Sequence, residues 1–147
     1  MSYTYFTDRD LGKAFPRTLR RAGLLVQPHD SHFGPTTLDE EWLTKVGVRD
    51  WLVITHDQRI RYKPNERDAV MNAGVGMLVL VGAIPHPALA KNFLATLPAI
   101  ERFIEKHPRP FIAKVYRPSS IPVEELGFQS GRVEMWLSSQ EWGNRPS

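Results

Sequence analysis

Apolar and polar positions alternate along the chain in two different rhythms. Trp51-Leu52-Val53-Ile54 and the stretch from Met77 to Val81 are unbroken apolar runs, as expected of strands buried on both faces. Tyr3 to Thr7 and Leu24-Leu25-Val26 are read as two more strands. Between these runs the apolar spacing becomes helical. Leu11, Ala14, Phe15, Leu19 and Ala22 predict a helix from Leu11 to Ala22, with Asp10 as its cap and Gly23 as its stop. Pro16 is tolerable there because it falls early in the helix. A loop rich in Pro, His, Asp, Ser and Gly follows from Gln27 to Thr36. Thr37 to Arg49 carries the stripe Leu38, Trp42 and Val46, and Thr37 with Glu40 has the spacing of a capping box. Pro64 to Ala73 predicts a third helix ending at Gly74. Pro87 to Lys106 predicts a longer amphipathic helix bent at Pro98. Phe111 to Tyr116 alternates and reads as an edge strand. Past Arg117 the pattern dissolves, leaving one short strand from Val133 to Trp136 and a frayed end.

Strand and helix thus alternate with short connections. That order predicts an α/β fold, a three-layer sandwich with a mainly parallel central sheet. The expected organisation is one α/β domain over residues 1–118, with residues 119–147 as an extension packed on it or trailing from it. The 147 residues, 41% hydrophobic and 24% charged, suit a single globular unit with a full core. The chain has no cysteine, which excludes disulfides, thiol nucleophiles and thiolate-bound zinc. The longest apolar run, around Val75 to Ile84, is too short to span a bilayer, and the opening residues do not resemble an export signal. A cytoplasmic protein with no membrane association is expected. The net charge of +3 permits a polyanionic partner without requiring one.

The placement of the acids narrows the chemistry. In a parallel sheet, ligands bind at the carboxyl edge of the strands. Asp8 and Asp10 follow the first strand, and Asp57 follows the third. Asp39, Glu40 and Glu41 open the helix that leads into that third strand, so they share the same rim. Converging carboxylates repel one another unless a cation neutralises them, and oxygen ligands of this kind suit Mg2+ or Mn2+. Such an ion generates hydroxide and stabilises charge on a phosphoryl group. Asp10 is better explained as a helix cap, and Glu40 as a first-turn acid that favours the helix dipole. Which of Asp39, Glu40 and Glu41 turns inward is open at this level. Arg59, Arg61 and Lys63 follow Asp57 and read either as phosphate-backbone contacts or as a solvated basic loop. His29, Asp30 and His32 lie in a loop with no fourth ligand nearby, which argues against zinc.

Three separated stretches resemble the PIN-like nucleases, most closely the VapC-like toxins of bacterial toxin–antitoxin pairs. They are Tyr5 to Gly12, Thr37 to Leu43, and Val53 to Asp57, and the resemblance runs from about Tyr3 to Gly82. It implies a Mg2+- or Mn2+-dependent endoribonuclease whose partners are RNA and a cognate antitoxin protein, with a homodimer also possible. On this reading Asp8, Glu41 and Asp57 are the catalytic candidates. Asp8, Asp39, Glu40 and Asp57 are the metal candidates, and Arg9, Thr55, Arg59, Arg61 and Lys63 the RNA contacts. One departure stands out: many members carry a further acid just after the third-strand aspartate, whereas here Gln58, Arg59 and Ile60 follow Asp57.

Two other functions compete. Asp8-Arg9-Asp10 with Thr55 resembles part of a haloacid-dehalogenase-type phosphatase, but the lysine and downstream acid pair of that chemistry are missing after Val81. A receiver-like or catalytically degenerate PIN-like module would bind without cutting. A receiver also needs a later strand-end lysine, which Val81 to Ile84 does not supply.

Overall fold

The computed structural model describes residues 3–117 and 131–146, and leaves the side chain of Arg61 undescribed. Its elements, in order, are β1 (Thr4–Thr7), α1 (Ala14–Arg21), β2 (Leu25–Pro28), α2 (Asp39–Val48), β3 (Leu52–Thr55), α3 (Pro64–Asn72), β4 (Gly76–Leu80), α4 (His86–Lys106), β5 (Phe111–Tyr116), β6 (Arg132–Leu137) and α5 (Ser139–Gly143). The six strands form one sheet in the order β2-β1-β3-β4-β5-β6. Every pairing is parallel except β5 with β6.

Alternate side chains along the strands feed two separate cores, which is why β3 and β4 have no polar interruption before Thr55. Tyr5, Leu52, Ile54 and Leu78 pack with Phe15 and Leu19 of α1 and Phe93 and Ile100 of α4. Phe6, Val53, Met77 and Val79 pack on the opposite face with Trp42 and Val46 of α2 and Val70 and Met71 of α3. Phe6 anchors the second core: it stacks on Trp42 with ring centres 5.2 Å apart and is flanked by Phe33 and Trp51. The approach of α2 to the C-terminal end of α3 depends on Gly47. A Cβ at that position would lie 2.0 Å from the carbonyl oxygen of Ala73.

The three-layer α/β prediction agrees with this architecture, but four local expectations change. The first helix begins at Ala14 rather than Leu11, because Gly12 takes φ +66° and separates a 3-10 turn, Arg9–Leu11, from α1. Pro16 then occupies the third position of α1, where the missing N–H has no helical partner to lose. The expected capping box at Thr37 does not form: Leu38 is the N-cap of α2 and gives no side-chain bond. β5 is an interior strand, paired on both sides, because β6 covers its outer edge. The expected edge-strand alternation of β5 reflects Lys114 and Tyr116, whose side chains lie beside Trp136 and Arg132 of β6. The end of the chain is not frayed throughout. Ser138 and Glu141 make a reciprocal capping box that starts α5. Of the extension expected over 119–147, residues 119–130 lie outside the described residues, and 131–146 supply β6 and α5. α4 runs unbroken through Pro98. No helix among the described residues is long and apolar enough to cross a membrane.

Candidate active site

From β1 the chain crosses to β2 on one side and then returns to β3 on the other, so the sheet order reverses between β1 and β3. Reversals of this kind open a crevice at the carboxyl ends of the two strands, where ligands bind. Asp8 lies at that point, held beside β3 by its backbone N–H, which donates to the Ile54 carbonyl at 3.0 Å. Thr55, the last residue of β3, is 1% exposed. Its hydroxyl faces two carboxylates, Asp8 Oδ2 at 3.1 Å and Asp10 Oδ2 at 3.2 Å. One hydroxyl proton serves one acceptor well, so a single donor is shared between two acids. The backbone N–H of Asp57 in turn donates to the Thr55 oxygen at 3.2 Å.

Asp10 was placed on the rim from the sequence, but read there as the cap of the following helix. As the cap of a helix starting at Leu11 it would face that helix. The break at Gly12 instead leaves it in the 3-10 turn, where it accepts from Thr55 and from the His56 backbone N–H at 3.0 Å. The cap role falls to Asp8, whose Oδ1 accepts from the Arg9 N–H at 2.7 Å. The signal was present in Gly12, a break placed too early for a helix beginning at Leu11.

The two acids carry the electrostatic signature of a crowded site. The Asp8 carboxyl is raised to about 6, first by burial, then by the charge of Asp10 and least by that of Asp39, against the bonds from Arg9 and Thr55. Asp10 is also raised, first by burial, against the hydrogen bonds from His56 and Thr55, with Asp57 adding to the rise. Of the three acids that open α2, Asp39 is the one whose charge registers at Asp8. The Trp42 indole N–H holds it at 2.9 Å. Glu40 instead borders a groove of about 570 Å3 between α2 and α3, and Glu41 is exposed. Neither makes a hydrogen bond or ion pair with the acid pair among the described residues.

Asp57 borders a cleft of about 380 Å3 with Asp10, His56 and Arg59. Its carboxylate is matched by cations, Arg59 Nε at 3.3 Å and Lys63 Nζ at 3.8 Å, and Lys63 also reaches Glu66 at 3.6 Å. The basic loop therefore faces Asp57 before it faces any ligand. His56 is half-buried and pairs through Nε2 with the Gly82 carbonyl. Thr55 had been placed among RNA contacts. It is buried, and its hydroxyl faces the two carboxylates. Arg9 donates to the Pro35 carbonyl at 2.7 Å and keeps the rest of its guanidinium exposed. The side chain of Arg61 lies outside the description.

Among the described residues no three acids or histidines stand close enough to form a metal cage. What the site offers is two adjacent carboxylates, both reluctant to ionise. Magnesium is commonly held by one or two carboxylates, with waters and substrate phosphate completing its shell. Asp8 and Asp10 fit that mode, and their mutual repulsion is the disadvantage a cation would relieve.

No curated protein and no solved structure matches the chain. The sequence model of one family, described as a PIN like domain, matches residues 3–82, which run from β1 past the end of β4 and contain Asp8, Asp10, Asp39 and Asp57. With more than half of the chain and the whole acid cluster inside that match, the protein belongs to the PIN-like domain family.

Proposed function

We propose that the protein is a metal-dependent endoribonuclease whose reacting centre is the crevice between β1 and β3. The observation that carries this reading is the sharing of one Thr55 hydroxyl between Asp8 and Asp10, two carboxylates raised first by burial, Asp8 also by the charge of Asp10 and Asp10 by that of Asp57. A surface kept for stability alone has little use for such a pair. Magnesium or manganese held by Asp8 and Asp10 would supply an activated water and charge stabilisation at the phosphodiester. Within the chain, Thr55 fixes the orientation of both acids, and the His56 N–H holds Asp10 against the end of β3. Trp42 keeps Asp39 beside Asp8, adding negative charge that favours cation binding. Arg9 stands at the rim as a phosphate contact, and Asp57 borders the adjoining cleft. The finer reading is that of a toxin paired with an antitoxin protein.

The deciding experiment is cleavage of labelled single-stranded RNA with magnesium or manganese, and with EDTA. The parent is compared with Asp8→Asn, Asp10→Asn and Asp57→Asn, each checked for folding. Metal-dependent cutting by the parent that is lost in the first two variants supports the assignment. A folded parent that never cuts, with either metal, sinks it. Expression of the parent halting growth where Asp8→Asn does not would support the toxin role.

One observation favours a second reading, an RNA-binding module that does not cut. Asp57 is already neutralised by Arg59 and Lys63, and no third carboxylate joins Asp8 and Asp10 in a metal cage among the described residues. RNA binding that persists in EDTA, with no product in any metal, would select that reading.

A further inference from the structure

A second cavity adjoins the acid pair on its other side. It measures about 240 Å3 and lies at the carboxyl ends of β1 and β2, where Thr7 and Pro28 are in register. Asp8, Arg9, Gly12, Lys13, His29 and Asp30 border it together with those two residues, so its wall carries two carboxylates as well as two cations. Asp8 therefore belongs to both spaces, and an occupant of this cavity sits directly beside the proposed reacting centre.

Two features of the wall describe that occupant. Arg9 and Lys13 are exposed, and among the described residues neither makes an ion pair with a carboxylate. Unmatched cations at a cavity mouth suit a phosphate. His29 is the second feature. It is 1% exposed, and neither ring nitrogen has a hydrogen-bond partner among the described residues. Phe6, Phe33 and Trp42 surround its ring at 5.5 to 5.9 Å between centres. A buried polar group left unmatched costs about 1–3 kcal/mol, and a phenylalanine would fit such aromatic company without that cost. Burial and the charge of Arg9 disfavour a second proton on the ring. A neutral imidazole offers one donor and one acceptor, which match a base edge or ribose hydroxyl rather than a phosphate.

We infer that this cavity is a nucleotide subsite, which takes the phosphate of a residue flanking the scissile bond on Arg9 and Lys13 and its sugar or base against His29. The volume lies just below the range that holds drug-sized ligands and suits one nucleoside rather than a longer segment. This assignment rests on the ribonuclease reading and supplies it with a position for the neighbouring nucleotide. Bare phosphate is a poorer occupant, because the same wall brings the Asp8 carboxylate toward it.

The test needs no cleavage. Adenosine 5′-monophosphate, uridine 5′-monophosphate and inorganic phosphate are titrated separately into the EDTA-treated full chain. Affinity is read by calorimetry, and the His29 ring nitrogens are read by NMR. A nucleoside monophosphate should bind, shift the His29 ring signals, and bind about tenfold more tightly than inorganic phosphate. Lys13→Ala should weaken it about tenfold, as expected for one lost charge-assisted contact. His29→Phe should weaken it while keeping or raising Tm. Lys13 is exposed, so its variant keeps the test decisive if His29→Phe does not fold. Absence of nucleotide binding, or binding unchanged in Lys13→Ala, overturns the subsite. RNA cleavage without nucleotide binding overturns the subsite alone. Nucleotide binding that follows this pattern, in a protein that never cleaves RNA, overturns the nuclease reading and supports the pocket.

Discussion

Asp8→Asn should make the protein more stable at neutral pH while removing a group proposed to be essential for activity. The Asp8 carboxyl is raised from 3.8 to about 6, first by burial and then by the charge of Asp10. The folded state therefore holds the Asp8 proton more tightly than the unfolded chain does. The contribution of this group is fully favourable below pH 3.8, declines as pH rises to about 6, and stays at its lowest level above that. The difference corresponds to roughly 3 kcal/mol as a ceiling, because Asp8 is only partly buried and solvent screens its charge. Asparagine keeps an acceptor for the Arg9 N–H and brings a donor toward Asp10, so the charge penalty is the main thing removed. The weaker bond from Arg9 to a neutral acceptor, and the loss of the Oδ2 acceptor for Thr55, offset part of the gain, leaving about 1–2 kcal/mol at pH 7. In a domain of this size that is a rise of several degrees in Tm. Urea unfolding of parent and variant in EDTA, at pH 7 and near pH 4, measures it directly. The variant should lead at pH 7, and the lead should vanish near pH 4. Manganese should close the gap at pH 7 by stabilising the parent alone. A variant less stable than the parent at pH 7, or a difference that ignores pH, would refute the account of Asp8 as a strained acid.

Three further outcomes probe the scaffold around the site. Gly47→Ala should lose roughly 3 kcal/mol in denaturant unfolding, because its Cβ would collide with the Ala73 carbonyl where α2 meets the end of α3; an unchanged midpoint would mean that α2 can move away. Tyr5→Phe should be neutral or stabilising by about 1 kcal/mol, since the buried Tyr5 hydroxyl has no hydrogen-bond partner among the described residues; a clear loss of stability would reveal a partner for it. Trp42→Phe should retain the fold but release Asp39, and manganese affinity by calorimetry should fall about tenfold; an unaltered affinity would remove Asp39 from the metal's surroundings.

The sequence by itself determined the layers and the rim. Apolar runs at Leu52 to Ile54 and Met77 to Leu80 can be satisfied only by burial on both faces, so a helix-covered parallel sheet follows from local pattern alone. Asp8 and Asp57 were legible for the same reason: a polar residue that ends such a run lies at the sheet's carboxyl edge. Tertiary structure decided which acids meet. Asp10 joins Asp8 because Gly12, with its positive φ, delays α1 and turns the carboxylate toward Thr55, a residue 45 positions away in the chain. Asp39 is selected over Glu40 and Glu41 by the rotation of α2. Trp42 fixes that rotation by packing on Phe6 while its indole holds the carboxylate. The pairing of Asp57 with Arg59 and Lys63, and the burial of His29 among Phe6, Phe33 and Trp42, also depend on where side chains finish in space. Periodicity reports which face of an element is buried. It carries no information on which neighbour a polar group finds there, because that choice is made by contacts between residues far apart in the chain.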